Sequence, residues 1–399
     1  MTGPPTMTPT DGDGPLSFKL YQMLATRTDR TAGGDLVLPL LGLFGETGSL
    51  LSEAKKKHRD PVSYVGYENT VLEELGDVLW YLAVLAARAH INLAHVGNSV
   101  SRGFDSWDQS RDEDLPINAL GAATRGALTA PTPAYDRTLL KLAGAVGLLL
   151  TRFEAGNHTE NRDALSGDLV TVLRLLVQAA DEAGVSLEQA ARGNLRKIFD
   201  RWPEERVAPP LFDEGFPAEE RIPRDLTIEV FEQAVGGRLY VFQRCNGVNV
   251  GDRLTDNSAR PDDYRFHDVF HYAHAAVLGW SPVLRSLFRL KRKSRPEVDE
   301  AQDGARAALI EEGVATWVFG HATARNLFSG LGPGELPLDL LKAVRRFVAG
   351  YEPEACPLWL WEEAILQGYA AFRFLREHRA ARLHLDLGAR CLSVEVLAR

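Results

Sequence analysis

Five acidic residues stand where a folded chain would bury them. Glu46 and Glu53 lie in or beside LPLLGLFGETGSLL, and Glu73, Glu74 and Asp77 lie in VLEELGDVLWYLAVLA. Seven residues is nearly two helical turns, so Glu46 and Glu53 share one helix face. Glu74 and Asp77, three apart, share another. A carboxylate inside an apolar stripe must be paired, protonated or metal-bound, because burying it bare is costly. Two antiparallel helices would bring four such groups together, and hard oxygen ligands suit Mg²⁺ or Mn²⁺. For Glu73 the reading is a solvated surface acid. A second set lies in DDYRFHDVFHYAH, where His267, His271 and His274 fall at i, i+4 and i+7 on one helical face. With Glu311 and Glu312 from the apolar run RAALIEEGVATWVFGHA, His267 and His271 form a possible second metal site. Hydrogen-bonded histidines at a helix interface are the alternative.

The elements that must position these groups are mostly helices. Apolar residues at three- and four-residue spacing predict helices over about 16–28, 36–57, 67–90 and 93–105, then 135–155, 163–183 and 186–201. Trp202-Pro203 ends the second run, because proline restricts the residue before it. The stretch 203–224 is rich in proline and acids and reads as a linker. A short helix near 226–235 is expected next. A hairpin follows, in which LYVFQRC and VNVGDRL flank the turn-forming Asn246-Gly247. Helical pattern resumes after Asp262 and runs to about residue 380. The chain opens on MTGPPTMTPTDGDGP, which reads as a disordered tail with no signal-peptide character.

Composition narrows the function classes. Hydrophobic residues make up 45% and charged residues 25% of the 399, which excludes a mostly disordered chain and a polytopic membrane protein. The formal net charge of −9 argues against a duplex-binding protein, which needs a basic excess. Three cysteines, Cys245, Cys356 and Cys391, with no CxxC pair, argue against a disulfide framework or a cysteine-rich zinc module. No GxxxxGK[ST] or GxGxxG motif is present, so ATP-driven and dinucleotide chemistry lack support. A cytoplasmic location and no membrane partner are expected.

The chain also resembles itself. INLAHVGNSVSRGFDSW ends at Trp107 and VSLEQAARGNLRKIFDRW at Trp202, so that Phe104, Asp105 and Trp107 match Phe199, Asp200 and Trp202. Upstream, LLGLFGETGSLLSE pairs with LLKLAGAVGLLLTR, which starts at Leu139. The matching order of the segments favours duplication.

At LYQMLATRT, LGLFGETGSLLSEAKK and LEELGDVLWYLAVLA the sequence resembles the MazG-like, all-α nucleoside triphosphate pyrophosphohydrolases. The resemblance covers about residues 16–107, with a degenerate copy over about 135–203. The family pattern is ExxE, a gap, then ExxD. Glu46, Glu74 and Asp77 match three of its acids, and Ser49 stands at the fourth. A hydroxyl is a weaker, neutral ligand. Glu53, one turn further and displaced by about 5.4 Å, is the candidate substitute. In the second copy Ala145 and Leu148 replace Glu46 and Ser49, while Asp168 and Thr171 stand near Glu74 and Asp77. That copy instead keeps an Asn and a Lys at the family's spacing, Asn194 and Lys197.

The resemblance therefore implies a mainly α protein: tandem bundles at 16–107 and 135–203 forming an intrachain pseudo-dimer, joined by a linker at 108–134. A further linker (204–224) leads to a helical domain at 225–399 with a small β-hairpin. Residues 225–399 themselves resemble no named family. The reaction implied is NTP + water → NMP + PPi, with Mg²⁺ or Mn²⁺ held by Glu46, Glu74 and Asp77, and with Glu53 as ligand or water-activating base. Lys56, Trp80, Asn194 and Lys197 are the candidate substrate contacts. The run Lys55–Lys57 also reads as a solvated basic face, and Trp80 and Tyr81 as core aromatics. Association into a further homodimer is compatible with this. Two rivals differ in class. In one, the C-terminal histidine and glutamate cluster is the active site and the bundles sense nucleotide. In the other, Ser49 marks a degenerate nucleotide-binding scaffold. The basic segment RSLFRLKRKSR (285–295) offers a phosphate contact, but EVDEAQD follows at once, so a charge-balanced loop is expected.

Overall fold

The computed structural model describes residues 14–30, 34–104, 113–121, 126–157 and 161–397. Most of the proline-rich N-terminal tail, and Asp105 and Trp107 of the expected repeat, lie outside the described residues. The chain divides into two units, Met1–Phe199 and Asp200–Arg399.

The first unit is helical among its described residues: α1 (Phe18–Arg27), α2 (Val37–Arg59), α3 (Tyr67–Arg88), α4 (Leu93–Ser101), α5 (Pro133–Glu154), α6 (Arg162–Ala183) and α7 (Leu187–Arg201). Several starts carry a side-chain cap that satisfies an orphan amide. Ser17 accepts from Leu20 N, Thr132 from Tyr135 N, and Asn161 from Ala164 N. Gly184, at φ 71°, closes α6 in the left-handed conformation that glycine tolerates. The apolar stripes meet in one core. It takes Leu43 and Leu50 from α2, Leu75 and Leu79 from α3, Leu142 and Val146 from α5, Leu169 and Leu173 from α6, and Leu195 from α7. Helix α2 packs on α3 and on α5, and α3 packs on α6.

The second unit contains β1 (Asp225–Val235), β2 (Arg238–Cys245), β3 (Val248–Asn249), α8 (Asp268–Ala273), α9 (Pro282–Leu287), α10 (Pro296–Ala301), α11 (Ala305–Thr323), α12 (Leu338–Phe347), α13 (Leu358–His378), β4 (Ala380–Asp386) and β5 (Cys391–Val396). The strands form an antiparallel sheet in the order β3-β2-β1-β4-β5. The hairpin expected around Asn246-Gly247 is its β2–β3 edge, with Cys245 opposite Val248. The helix expected near 226–235 is instead the strand β1. Leu226, Ile228 and Val230 are buried at every second position. Their two-residue period, rich in β-branched side chains, is that of a strand with one buried face. Beneath the sheet, α13 packs against α8 and against β4 and β5. A π-helical turn, His274–Leu278, extends α8 and is wholly buried. Such turns often occur at functional sites.

Two features read from sequence resolve inside this unit. In the basic segment, Arg285 and Arg292 are buried. Arg285 pairs with Asp213 at 2.8 Å, and Arg292 with Asp303 at 2.7 Å and Glu352 at 2.7 Å. Asp303 belongs to the acidic run that follows, so the loop neutralises itself. The proline-rich stretch at 204–224 contributes buried Asp213, Phe216 and Ile222 to the unit. Trp361 is packed in the core, with its indole N–H on Pro353 O at 3.1 Å. Glu362 is buried and accepts from Gly334 N and Leu336 N, both at 2.7 Å. No helix among the described residues is long and apolar enough to cross a membrane.

Candidate functional site

Helix α2 supplies Glu46, and α3 supplies Glu74 and Asp77. One oxygen from each lies within 4.8 Å of the others. The convergence follows from packing: α2 and α3 lie side by side, and each turns its acid-bearing face toward the other. The third contributor is α7. Asn194 Nδ2 donates to Asp77 Oδ1 at 2.6 Å, and the Lys197 ammonium donates to both oxygens of Asp77. Lys197 also reaches Glu73 at 3.3 Å, so Glu73 is a partner of the site, half-exposed at its edge.

A glycine makes this approach possible. A Cβ on Gly76 would lie 2.5 Å from the carbonyl oxygen of Ala190 and 3.0 Å from Asn194 Cβ. Only a residue without a side chain lets α7 come close enough to place its Asn and Lys on Asp77. A second glycine, Gly42 in α2, leaves room for the ring of Tyr81, which a Cβ would meet at 2.1 Å.

Electrostatics sets the protonation of the cluster. Burial, then the charges of Glu46, Asp77 and Glu73, push the Glu74 carboxyl up to about 8. Burial opposes the charge on Lys197, but Asp77 and Glu73 outweigh it and hold the ammonium above its ordinary value. Two acceptor oxygens in these residues, Glu74 Oε2 and Asn194 Oδ1, are buried without a hydrogen-bond partner. Three convergent carboxylates, one forced toward the neutral form, and an orphan carboxylate oxygen fit a hard divalent cation. Such a cation would return Glu74 to its charged form and satisfy that oxygen.

The remaining candidates fall elsewhere. Glu53 is buried and outside the group of three. It accepts from the Tyr64 hydroxyl and from Lys56 Nζ at 2.5 Å. That pairing also occupies Lys56, whose side chain is otherwise largely exposed. Trp80 is half-buried and donates its indole N–H to Thr28 Oγ1 at 3.0 Å, edge-on to Tyr81. Burial, then Glu46 and Asp77, raise the Tyr81 hydroxyl. Sequence reasoning misses Gly76 and Tyr21. Tyr21 in α1 is fully buried, with its hydroxyl raised first by burial and then by Asp77. In the second copy Arg152 neutralises Asp168, so that position is an ion pair. Thr171 bonds its own helix at Gly167 O.

In the second unit the histidine face is also assembled. His271 is fully buried, with Nδ1 3.1 Å from Glu311 Oε1 and Nε2 3.4 Å from Glu312 Oε1. His267 Nε2 lies 3.9 Å from Glu312 Oε2. Glu311 sits on the inner side of the His271 ring and Glu312 on the outer side.

Comparison with known proteins identifies this second unit. Residues 207–398 match the MazG C-terminal domain. The residues that resembled no named family on their own are thus similar to the MazG C-terminal domain, and they include the histidine face. A stretch of 86 residues is 36% identical to the Gene 37 protein of Mycobacterium phage L5, covering 19% of this chain and 75% of that protein. The chain and the phage protein belong to one family. No solved structure matches.

Proposed function

We propose that the protein is a Mg²⁺- or Mn²⁺-dependent nucleoside triphosphate pyrophosphohydrolase, releasing NMP and PPi from the cluster Glu46–Glu74–Asp77. The observation that carries this reading is the convergence of those three acids, the same three that match the MazG-like pattern. The MazG C-terminal domain in the same chain supports it at family level. Glu46, Glu74 and Asp77 would hold the cation, which supplies neutralisation of the triphosphate and of the charge developing on it. Asp77 and Glu73 hold the Lys197 ammonium above its ordinary value against burial, which keeps a positive charge at the cluster. Asn194 fixes the rotamer of Asp77 by donating to Oδ1. Glu73 and Asp77 together orient the lysine, whose three protons face Glu73 Oε1 and the two oxygens of Asp77, and a phosphate oxygen would take the place of one of these acceptors. In this reading α5–α7 act as the second half of a pseudo-dimer: one copy keeps the acids and the other supplies the Asn and Lys.

The test is product analysis of the full chain on a panel of NTPs and dNTPs with Mg²⁺ or Mn²⁺. Equal release of NMP and PPi from at least one nucleotide is expected. Inorganic phosphate as the product, or tight nucleotide binding without turnover, would reject the reading. Two variants sharpen it. Lys197→Ala is expected to raise KM about tenfold or more, the scale of one charge-assisted hydrogen bond. Unchanged KM and kcat would remove Lys197 from the substrate site. Ser49→Glu restores the fourth acid of the family pattern on half-buried helix surface one turn from Glu46. It is expected to tighten the activating Mg²⁺ concentration several-fold, whereas a drop in activity would show that this site is tuned for three acids.

A further inference from the structure

The histidine face of the second unit is organised in two layers. In the outer layer, His267 Nε2 lies 3.2 Å from Asp268 Oδ1, 3.9 Å from Glu312 Oε2, and on the same side as His271 Nε2, which is 3.4 Å from Glu312 Oε1. One donor atom each from His267, Asp268 and His271 fits within 4.8 Å. Behind each of these residues stands a group that fixes its far atom. His267 Nδ1 meets Tyr264 O at 2.9 Å, which places the ring proton on Nδ1 and leaves the Nε2 lone pair facing the cluster. Asp268 Oδ2 accepts from Gln243, which is held in turn by the Tyr272 hydroxyl. His271 Nδ1 faces the buried carboxylate of Glu311, whose charge favours a proton on that nitrogen.

Glu311 is itself locked. Its Oε2 accepts from Ser281 Oγ and Val283 N, both at 3.0 Å, and its Oε1 lies 3.1 Å from His274 Nδ1. A purely structural network would satisfy the ring between these acids. Instead both nitrogens of His271 are buried and neither makes an aligned hydrogen bond, despite carboxylates at 3.1 and 3.4 Å. Ligand atoms around a tetrahedral ion at zinc–nitrogen and zinc–oxygen distances stand about 3.3 Å apart. The outer-layer spacings of 3.2 and 3.4 Å match that scale, while Glu312 reaches His267 through its second oxygen at 3.9 Å.

We propose that His267, His271 and Asp268, with Glu312 at the solvent side, form a binding site for a divalent transition-metal ion. Two imidazoles with two carboxylates select Zn²⁺, Mn²⁺, Fe²⁺ or Co²⁺ over Mg²⁺ and Ca²⁺. Tyr264, Gln243 and Glu311 are the outer partners that orient the ligands. The Glu312 side chain is 41% exposed, so the ion would exchange with solvent from that side. This site is separate from the three acids of the first unit, which offer oxygen only.

The experiment is Co²⁺ titration of the full chain, followed by visible absorption. The wild type and Glu74→Gln are both expected to show one equivalent of Co²⁺ with the intense absorption of a nitrogen- and oxygen-ligated tetrahedral ion, whatever further Co²⁺ the three acids of the first unit hold. His267→Gln and Asp268→Asn are expected to weaken that signal by about tenfold or more in affinity, with helical circular dichroism unchanged. Should either variant unfold, Glu312→Gln at the exposed ligand carries the test and is expected to weaken binding similarly. No cobalt spectrum in the wild type, a spectrum that survives these substitutions, or one that disappears with Glu74→Gln would overturn the proposal.

Discussion

Replacing Glu74 with Gln is expected to lower kcat/KM for nucleotide hydrolysis by about a hundredfold or more. Changing a residue that merely supports a metal ligand costs about 10–100-fold. Glu74 is one of the three groups that would hold the cation itself, so the upper end is the starting point. The substitution keeps the shape of the side chain, and kinetics at saturating Mg²⁺ or Mn²⁺ would measure it. Activity within a few-fold of the wild type would place the chemistry away from this cluster. The same variant carries a second signature, in stability. The Glu74 carboxyl is raised from 4.5 to about 8 by burial and by Glu46, Asp77 and Glu73. Between these values the metal-free folded protein holds a proton that the unfolded chain has released. Stability from this group therefore falls as pH rises through that window, and the penalty is complete above about 8. Glu74→Gln has no such penalty. Its melting temperature, relative to the wild type, is expected to rise steadily from pH 5 to pH 8 without metal, and Mg²⁺ should narrow the gap at pH 8. A difference that stays flat with pH would contradict the protonation assigned to Glu74.

Gly76→Ala is expected to damage both stability and activity through one methyl group. The new Cβ would stand 2.5 Å from Ala190 O, a backbone atom that cannot rotate away. Overpacking of this kind costs about 1–3 kcal/mol, and relief requires α7 to move off α3. That movement withdraws Asn194 and Lys197 from Asp77. We expect a lowered melting temperature together with a raised KM, in the direction of Lys197→Ala. Gly144→Ala is the control. Gly144 is an exposed helical glycine in α5 with nothing within 4 Å of its would-be Cβ, and the same change there is expected to stabilise by about 0.5–1 kcal/mol. If Gly76→Ala behaves like Gly144→Ala, the close approach of α7 has no part in the site.

Much is legible from the residues alone, and the reason is local. A helix writes its own period, so the seven helices of the first unit stand within a few residues of the ranges their apolar spacing predicts. Acids embedded in that period have to face inward, and spacing brings out Glu46, Glu53, Glu74 and Asp77, from which the resemblance to the MazG-like pattern picks Glu46, Glu74 and Asp77. The strand β1 escapes such a reading because its alternation is short and ends at Glu232, which takes the next place in the inward phase and pairs with Arg265. A sheet draws its partners from distant sequence, here β4 more than a hundred residues on, so no local period announces it.

What tertiary structure decided is which charged groups meet. Glu53 has the same helical phase as Glu46, yet Tyr64 and Lys56 hold it outside the cluster. Lys197 reaches Asp77 from α7, and only the missing side chain of Gly76 allows it. Glu311 and Glu312 are neighbours in sequence, but one stands behind His271 and the other in front. Sequence determined the type and helical phase of each of these side chains, because both follow from the residue and its near neighbours. It did not determine their partners: a charge is satisfied by whatever the packed core brings within about 3 Å, and that depends on every helix at once.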